Sequence, residues 1–266
     1  MIITDMKMKK IQSLPNELPK LLRSRFNGCD IYDSSSSPEA RVYYIDTEDG
    51  YFVKVGEAGT LRPETLMTRY FHGLGIGAEV VFALSDESDI LVTRKIKGAD
   101  LTSPEYLKEP KKLALSMGKS LRALHETNAE GSPEQHRTDK YLRNLAEGYA
   151  IRRFDPSYID KRLGLTDMDA AFEFADRNKG CLLQDTLIHG DFCLPNIIFH
   201  GDKLSGYIDL GGAGIGDRHI DLFWGAWTLN FNLGTEEYRD TFFNAYGKEL
   251  VDEEKLLLIS AIEAFG

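Results

Sequence analysis

The sequence predicts an α+β protein of two lobes. A small antiparallel β-sheet lobe with one helix covers residues 1–97, and a larger, mainly helical lobe covers 98–266, with the join near Thr93–Asp100. Three observations predict this. The chain is 266 residues long, enough for one large domain or two small ones with a sizeable core. Before Lys97 the sequence carries paired β-rich runs around turn residues. After Gly98 apolar residues recur at helical spacing instead. Hydrophobic residues at 42% and charged residues at 28% exclude collagen, disorder and coiled coil as the main architecture.

Arg41–Ile45 and Tyr51–Val55 flank an Asp49-Gly50 turn and predict a hairpin. Glu79–Leu84 and Ile90–Ile96 predict a second hairpin around Ser85–Asp89. Between them Pro63 suits a first helical position, Leu66, Met67, Tyr70, Phe71 and Leu74 keep helical spacing, and Gly75 ends the helix. In the second lobe Leu113, Met117, Leu121 and Leu124 mark one helical stripe. Phe172–Phe174, Trp224–Phe231 and Tyr238–Tyr246 belong to further helices. Thr186–Leu210 is the exception, alternating short strands and turns.

Acids outnumber bases by 42 to 32, a net charge of −10, which places nucleic-acid binding low among the classes. The surplus is uneven: residues 1–97 hold 14 acids and 13 bases, residues 98–266 hold 28 and 19. A focused negative field attracts cations. Three cysteines, Cys29, Cys181 and Cys193, with no CxxC pair, argue against a disulfide framework or zinc ribbon and fit a reducing cytoplasm. The first fifteen residues carry bases but no apolar stretch of signal-peptide length, and no window approaches 18 uninterrupted apolar residues, so neither a leader nor a membrane span is expected.

Several phosphate-like patterns fail on context. Gly118-Lys119-Ser120 looks like half a P-loop, but Leu113 stands where the first glycine belongs and the site lies inside a helix. Gly73, Gly75 and Gly77 precede a strand, and Gly212, Gly214 and Gly216 follow one without opening a βαβ helix. His125-Glu126 lacks the second histidine of a zinc protease.

The informative stretch is Ile188-His189-Gly190-Asp191-Phe192-Cys193-Leu194-Pro195-Asn196, followed by Tyr207-Ile208-Asp209-Leu210-Gly211. Ile197–Phe199 and Leu204–Ile208 are apolar runs joined by a turn near Gly201-Asp202. Such a hairpin sets Asn196 and Asp209 opposite each other, with Asp191 five residues upstream of Asn196. Oxygen donors of this kind suit Mg²⁺ held by one or two side chains and substrate phosphates. Asp followed five residues later by Asn is also the spacing of the protein-kinase catalytic loop, and Asp-Leu-Gly stands where kinases have Asp-Phe-Gly. The first lobe should then supply a lysine for the phosphates. Lys54 lies inside an apolar strand, where an ammonium is costly unless paired. Glu64 shares the apolar stripe of Met67, Phe71 and Leu74 and is the preferred partner; Glu57, in the turn after the strand, is the competitor.

These residues resemble the aminoglycoside phosphotransferase family, and within it the aminoglycoside 3′-phosphotransferases. The resemblance rests on Phe52-Val53-Lys54, Leu121–His125, Leu187–Phe199 and Ser205–Asp221. It implies a bilobal protein-kinase-like fold with a nucleotide cleft between the lobes. It implies Asp191 as the catalytic residue near the acceptor hydroxyl, Asn196 and Asp209 as Mg²⁺ ligands, and Lys54, paired with Glu64, on the α- and β-phosphates. Phe52 would stack on adenine, and the backbone of Arg94 and Ile96 would form the hinge that reads the base. The Ser34–Ser37 loop, Ser37 included, would replace the Gly-rich loop over the phosphates. His189 would orient the loop, and Asp217 and Asp221 would support it. Asp155, Asp160, Asp167, Asp169 and Glu263 are candidates to grip substrate amino groups. Gly212 stands where the 3′-phosphotransferases typically carry Arg, which removes a cation near the transferred phosphate or substrate.

The implied activity is transfer of the γ-phosphate of ATP or GTP, with Mg²⁺, to an aminoglycoside hydroxyl, giving antibiotic resistance. The expected enzyme is a cytoplasmic monomer or weak dimer with a cationic small-molecule substrate and neither nucleic-acid nor membrane partners. A kinase of the same fold for another antibiotic, an amino alcohol or a sugar is the nearest rival. A catalytically idle nucleotide-binding homologue is the rival from another class.

Overall fold

In the computed structural model, residues 9–15, 18–35 and 40–266 are described; Ser37 lies outside them. The described residues open with β1 (Lys9–Ile11), α1 (Lys20–Arg25), β2 (Asp30–Asp33), β3 (Ala40–Asp46) and β4 (Tyr51–Glu57). Next come α2 (Arg62–Gly73), β5 (Val80–Ser85), β6 (Ser88–Arg94) and the short β7 (Ala99–Asp100). The helical part follows with α3 (Pro104–Leu107), α4 (Pro110–His125), α5 (Arg137–Ala150) and α6 (Met168–Asn178). Three strands, β8 (Thr186–Ile188), β9 (Ile197–His200) and β10 (Lys203–Tyr207), precede β11 (Gly214–Gly216), α7 (His219–Leu233), α8 (Arg239–Tyr246) and α9 (Glu253–Glu263). The architecture is α+β. No helix among the described residues is long and apolar enough to cross a membrane.

The chain divides into two compact units. Unit 1 comprises residues 1–99 and 198–211, and unit 2 comprises 100–197 and 212–266. The sequence reading assigns everything after residue 97 to one lobe; the β9–β10 hairpin instead groups with unit 1. Tyr207 is the reason. Its N–H donates to the Ile76 carbonyl at 2.8 Å, and its fully buried ring meets Phe71 of α2 edge-on at 6.2 Å.

Unit 1 is built on an antiparallel sheet of order β1-β2-β3-β4-β6-β5. The two expected hairpins form, with Tyr44 opposite Phe52 and Ser85 opposite Asp89. The expectation of a single helix in this lobe is corrected: α1 is a second one. It is six residues long, too short to show a period, and it forms because Leu22 packs with Leu14, Leu18 and Phe26 onto Ile31, Ile45, Tyr51 and Val53. The stripe of α2 is narrower than its apolar residues suggest. Glu64, Met67, Thr68 and Phe71 are buried, while Leu66 and Leu74 are exposed. Buried Asp89 fixes the start of that helix, accepting the Leu61 N–H at 2.8 Å and the Ser85 hydroxyl at 2.6 Å. A carboxylate there complements the positive end of the helix.

In unit 2 the predicted α4 stripe of Leu113, Met117, Leu121 and Leu124 is wholly buried. Gly118 is a packing residue: a Cβ there would lie 2.4 Å from the Phe242 carbonyl oxygen of α8. Tyr141, Leu145, Ala171, Ala175, Ile188, Ile220, Leu258, Ile262 and Phe265 form the core that binds α5, α6, α7 and α9.

Candidate active site

Unit 1 gathers Lys54, Glu64 and Asp209. Lys54 lies in mid-β4, opposite Val42 and Leu91. Its Nζ donates to Glu64 Oε2 at 2.7 Å and to Asp209 Oδ1 at 2.9 Å. Burial alone would lower the Lys54 pKa, but the attraction of Glu64 and then of Asp209 outweighs it, so the ammonium is held charged. The α2 position that carries Glu64 is itself buried, so the preferred partner is the one in contact. Asp209 is a non-glycine residue with φ of +57°, and its side chain remains 52% exposed. A left-handed residue of this kind costs about 1 kcal/mol or more and persists where its surroundings over-determine it. Here Tyr207, two residues before, anchors the chain on α2, and Lys54 holds the carboxylate.

Unit 2 gathers Asp191 and Asn196. Strand β8 pairs with β11, Ile188 opposite Gly214. The loop after β8 is held from beneath by Asp221 at the start of α7, whose two oxygens accept the N–H groups of His189 and Gly190, each at 2.7 Å. Gly190 has φ of +82°, and a Cβ there would fall 1.9 Å from the Gly212 carbonyl oxygen, so only glycine fits. Gly212 itself packs on Gly190: a Cβ there would stand 3.1 Å from the Gly190 carbonyl carbon. His189 is fully buried, and its Nδ1 accepts the Asp191 N–H at 3.3 Å. A 3-10 turn at Leu194–Asn196 then brings Asn196 back, so that its Nδ2 donates to the Asp191 carbonyl at 3.0 Å and to Oδ2 at 2.8 Å. With the nitrogen committed to Asp191, the amide oxygen is the atom Asn196 presents elsewhere.

The sequence reading makes Asp221 and Asp217 supports; it gives no such role to His125 and Tyr246, which stand behind Asp221. His125 Nε2 lies 3.1 Å from Asp221 Oδ2, and its Nδ1 lies 2.9 Å from the Tyr246 hydroxyl. Burial lowers the His125 pKa against the pull of Asp221, leaving a neutral ring. Both Asp221 oxygens already accept backbone N–H groups, so Nε2 carries the proton toward Oδ2 and Tyr246 donates to Nδ1. The available signal was position: His125 follows Leu121 by four residues on an apolar stripe. Asp217 accepts from Leu183 N–H, His219 and Lys255, and against the effect of burial these bonds hold it far below the usual carboxylate range.

The remaining predicted residues are placed as follows. Phe52 is partly buried, its ring 5.1 Å from that of Tyr44. Arg94 ends β6; its side chain pairs with Asp49 and Glu79, and its N–H donates to the Glu79 carbonyl at 2.9 Å. Ile96 lies just beyond that strand, partly buried. Glu57, at the end of β4, is exposed. Several acids read as substrate contacts carry structural bonds. Asp155 caps a 3-10 turn through the Ser157 N–H, and Asp167 caps α6 through the Ala170 N–H. Asp169 accepts from the Tyr149 hydroxyl at 2.9 Å. Asp160 caps the turn at Lys161–Leu163 and accepts Arg162 at 3.0 and 2.8 Å, so a substrate ammonium would compete with that guanidinium. Glu263 is buried at the end of α9 and accepts from Tyr141 Oη at 2.8 Å and Trp224 Nε1 at 2.9 Å. Among the described residues no cluster of three or more His, Cys, Asp or Glu could hold a metal alone.

The arrangement offers a charged lysine between two carboxylates and an aspartate oriented by an asparagine. These are parts suited to neutralising phosphates and aligning a hydroxyl. Similarity to known proteins agrees. The chain is 42% identical over 260 residues, 97% of its length and 99% of the relative's, to a probable aminoglycoside 3′-phosphotransferase of Lactococcus lactis subsp. lactis strain IL1403. It is 28% identical to an aminoglycoside 3′-phosphotransferase of Niallia circulans, covering 84% of this chain and 87% of that one. A crystal structure of an aminoglycoside 3′-phosphotransferase of type VIII has the same fold, with a TM-score of 0.75 and 24% identity over 92% of this chain and 97% of the other. Residues 35–258 match the model of the phosphotransferase enzyme family, and the chain belongs to that family.

Proposed function

We propose that this enzyme transfers the terminal phosphoryl group of ATP or GTP to the 3′-hydroxyl of a cationic aminoglycoside, and that it confers resistance by doing so in the cytoplasm. The relatives' names support the acceptor class. The observation that carries the reaction class is the double hydrogen bond from Asn196 to Asp191, which orients both side chains before any substrate arrives. Asp191 receives the hydrogen bond of the acceptor hydroxyl and aligns it for in-line attack. Lys54, steadied by Glu64, neutralises charge on the α- and β-phosphates. Phe52 stacks on the base, the backbone at Arg94 and Ile96 reads its edge, and the Ser37 loop covers the phosphates. Asp155 and Glu263, with Asp160 in competition with Arg162, receive substrate ammonium groups.

Asn196 and Asp209 would hold Mg²⁺. Their donors fit the ion: an amide oxygen and a half-exposed carboxylate are hard oxygen ligands, and phosphates complete such a site. When bound, the ion supplies charge neutralisation and orientation of the phosphates.

The test is a panel of aminoglycosides assayed with ATP and with GTP, with the position of phosphorylation read by NMR. A neamine-type drug is expected to be phosphorylated at the 3′-hydroxyl. Failure on every such drug would overturn the acceptor class and favour another small hydroxylated substrate. Asp191→Ala should lower kcat by about 10²–10⁴-fold while nucleotide binding, followed by calorimetry, stays within about twofold. Near wild-type turnover would refute the role given to Asp191.

A further inference from the structure

One side of α7 is aromatic beyond buried Ile220, and its first ring, Trp224, packs in part against the core of unit 2. Trp224, Trp227 and Phe231 stand at i, i+3 and i+7, on one side of the helix. Trp227 and Phe231 stack with centroids 4.9 Å apart and planes at 12°. Trp224 meets Trp227 edge-on at 5.3 Å. Tyr158, from the 3-10 turn Pro156–Tyr158, adds a fourth ring 5.8 Å from each tryptophan, at 29° to Trp227 and edge-on to Trp224. On the opposite side of α7, Leu222, Thr228 and Leu229 are buried and Gly225 lies against Phe242. The aromatic rings are not buried to that degree. Phe231 is 37% exposed, and Trp224, Trp227 and Tyr158 are partly exposed.

Two connections tie this face to Asp191. The helix itself holds the Asp191 loop, through Asp221 and through Thr228 Oγ1, which accepts the Leu194 N–H at 3.3 Å. The rings also meet a carboxylate: Trp224 Nε1 donates to Glu263 Oε1 at 2.9 Å, and burial, with the negative charge of Asp155, Glu263 and Asp191, raises the Tyr158 pKa. Aromatic faces bordered by carboxylates complement a ring that is apolar on its C–H face and cationic at its substituents. The faces attract ammonium groups by cation–π interaction as well.

We propose that Tyr158, Trp227 and Phe231, with Trp224 steadied by Glu263, form a platform on which one amino-sugar ring of the acceptor substrate stacks. The proposal rests on the aminoglycoside reading above and extends it. Ring stacking is less directional than ion pairing, so the platform would tolerate altered ring substituents while still requiring a cationic sugar.

Trp224 and Trp227 are the chain's only tryptophans, so intrinsic tryptophan fluorescence reports on this face alone. Titrating the wild-type protein with neamine is expected to shift or quench the emission. Phe231→Leu and Trp227→Leu should each raise KM for neamine about tenfold, leave KM for ATP within about twofold, and leave the circular dichroism spectrum unchanged. Phe231→Tyr should restore the wild-type KM. Turnover of neamine with silent fluorescence, or unchanged KM in the leucine variants, would overturn the platform and leave the activity standing. Equal rises in both KM values would also overturn it, because they would mark a structural effect. If wild type neither turns over aminoglycosides nor responds in fluorescence, both readings fall. Phe231 is exposed, so its variants decide the matter even if Trp227→Leu does not fold.

Discussion

Glu263 shows how neighbours set the chemistry of one side chain. Burial raises its pKa to about 7, against the hydrogen bonds from Tyr141 and Trp224, and nearby Asp191 adds to the rise while Arg137 opposes it. The unfolded chain loses this proton near the ordinary value of 4.5, the folded chain only near 7. Between those values the folded state binds more protons, so the Glu263 contribution to stability falls as pH rises, by roughly 3 kcal/mol across the window. Glu263→Gln keeps an accepting oxygen and removes the titration. Its stability relative to wild type, from urea unfolding, should therefore grow from pH 5 to 7 and level off above. Parallel curves would show that the carboxyl does not titrate there. Lys54, Asp191, Asn196 and Asp209 were legible in the sequence because polar groups set among apolar strands are costly without a task. The Asp221–His125 pair was not, because its members are far apart in sequence and each looks ordinary alone.

At the scale of elements, local period decided what could be read. The two hairpins of unit 1 and the stripe of α4 were visible because turn residues and apolar spacing agree over enough residues. Helix α1 is too short for a period, and α9 buries Leu256, Leu258, Ile259, Ala261 and Ile262 almost all round, so no stripe marks it. Its start is set by Asp252, which accepts the N–H groups of Glu254 and Lys255. Gly118, which resembles part of a phosphate loop, serves the contact of α4 with α8. Gly118→Ala should destabilise the protein by about 1–3 kcal/mol, because the obstructing atom is backbone and cannot swing aside. Chemical denaturation checks this, and an unchanged midpoint would mean the helices do not meet so closely.

For the molecule as a whole, charge is the property that bears on substrate. Unit 1 holds 16 acids and 14 bases, and unit 2 holds 26 and 18. The excess therefore lies in the unit that carries Asp191 and the aromatic platform. A polycationic acceptor should feel it, so KM for a neamine-type drug should rise several-fold as ionic strength increases, and more steeply than KM for ATP. Equal salt dependence for both substrates would reduce the surplus to a solubility feature.

By itself the sequence determined the α+β class, the hairpins, the reaction type and four of the residues proposed to carry it. Those signals are local: an unpaired charge in a strand, a glycine before an aspartate, an asparagine five residues on. Only the tertiary structure decided which bonds the other acids make within the protein. Asp155, Asp160 and Asp167 close turns and a helix, and Glu263 is buried beneath Tyr141 and Trp224. The physical reason is that a carboxylate's protonation and partners depend on burial and on donors supplied by distant segments, and neither is written beside it in the chain.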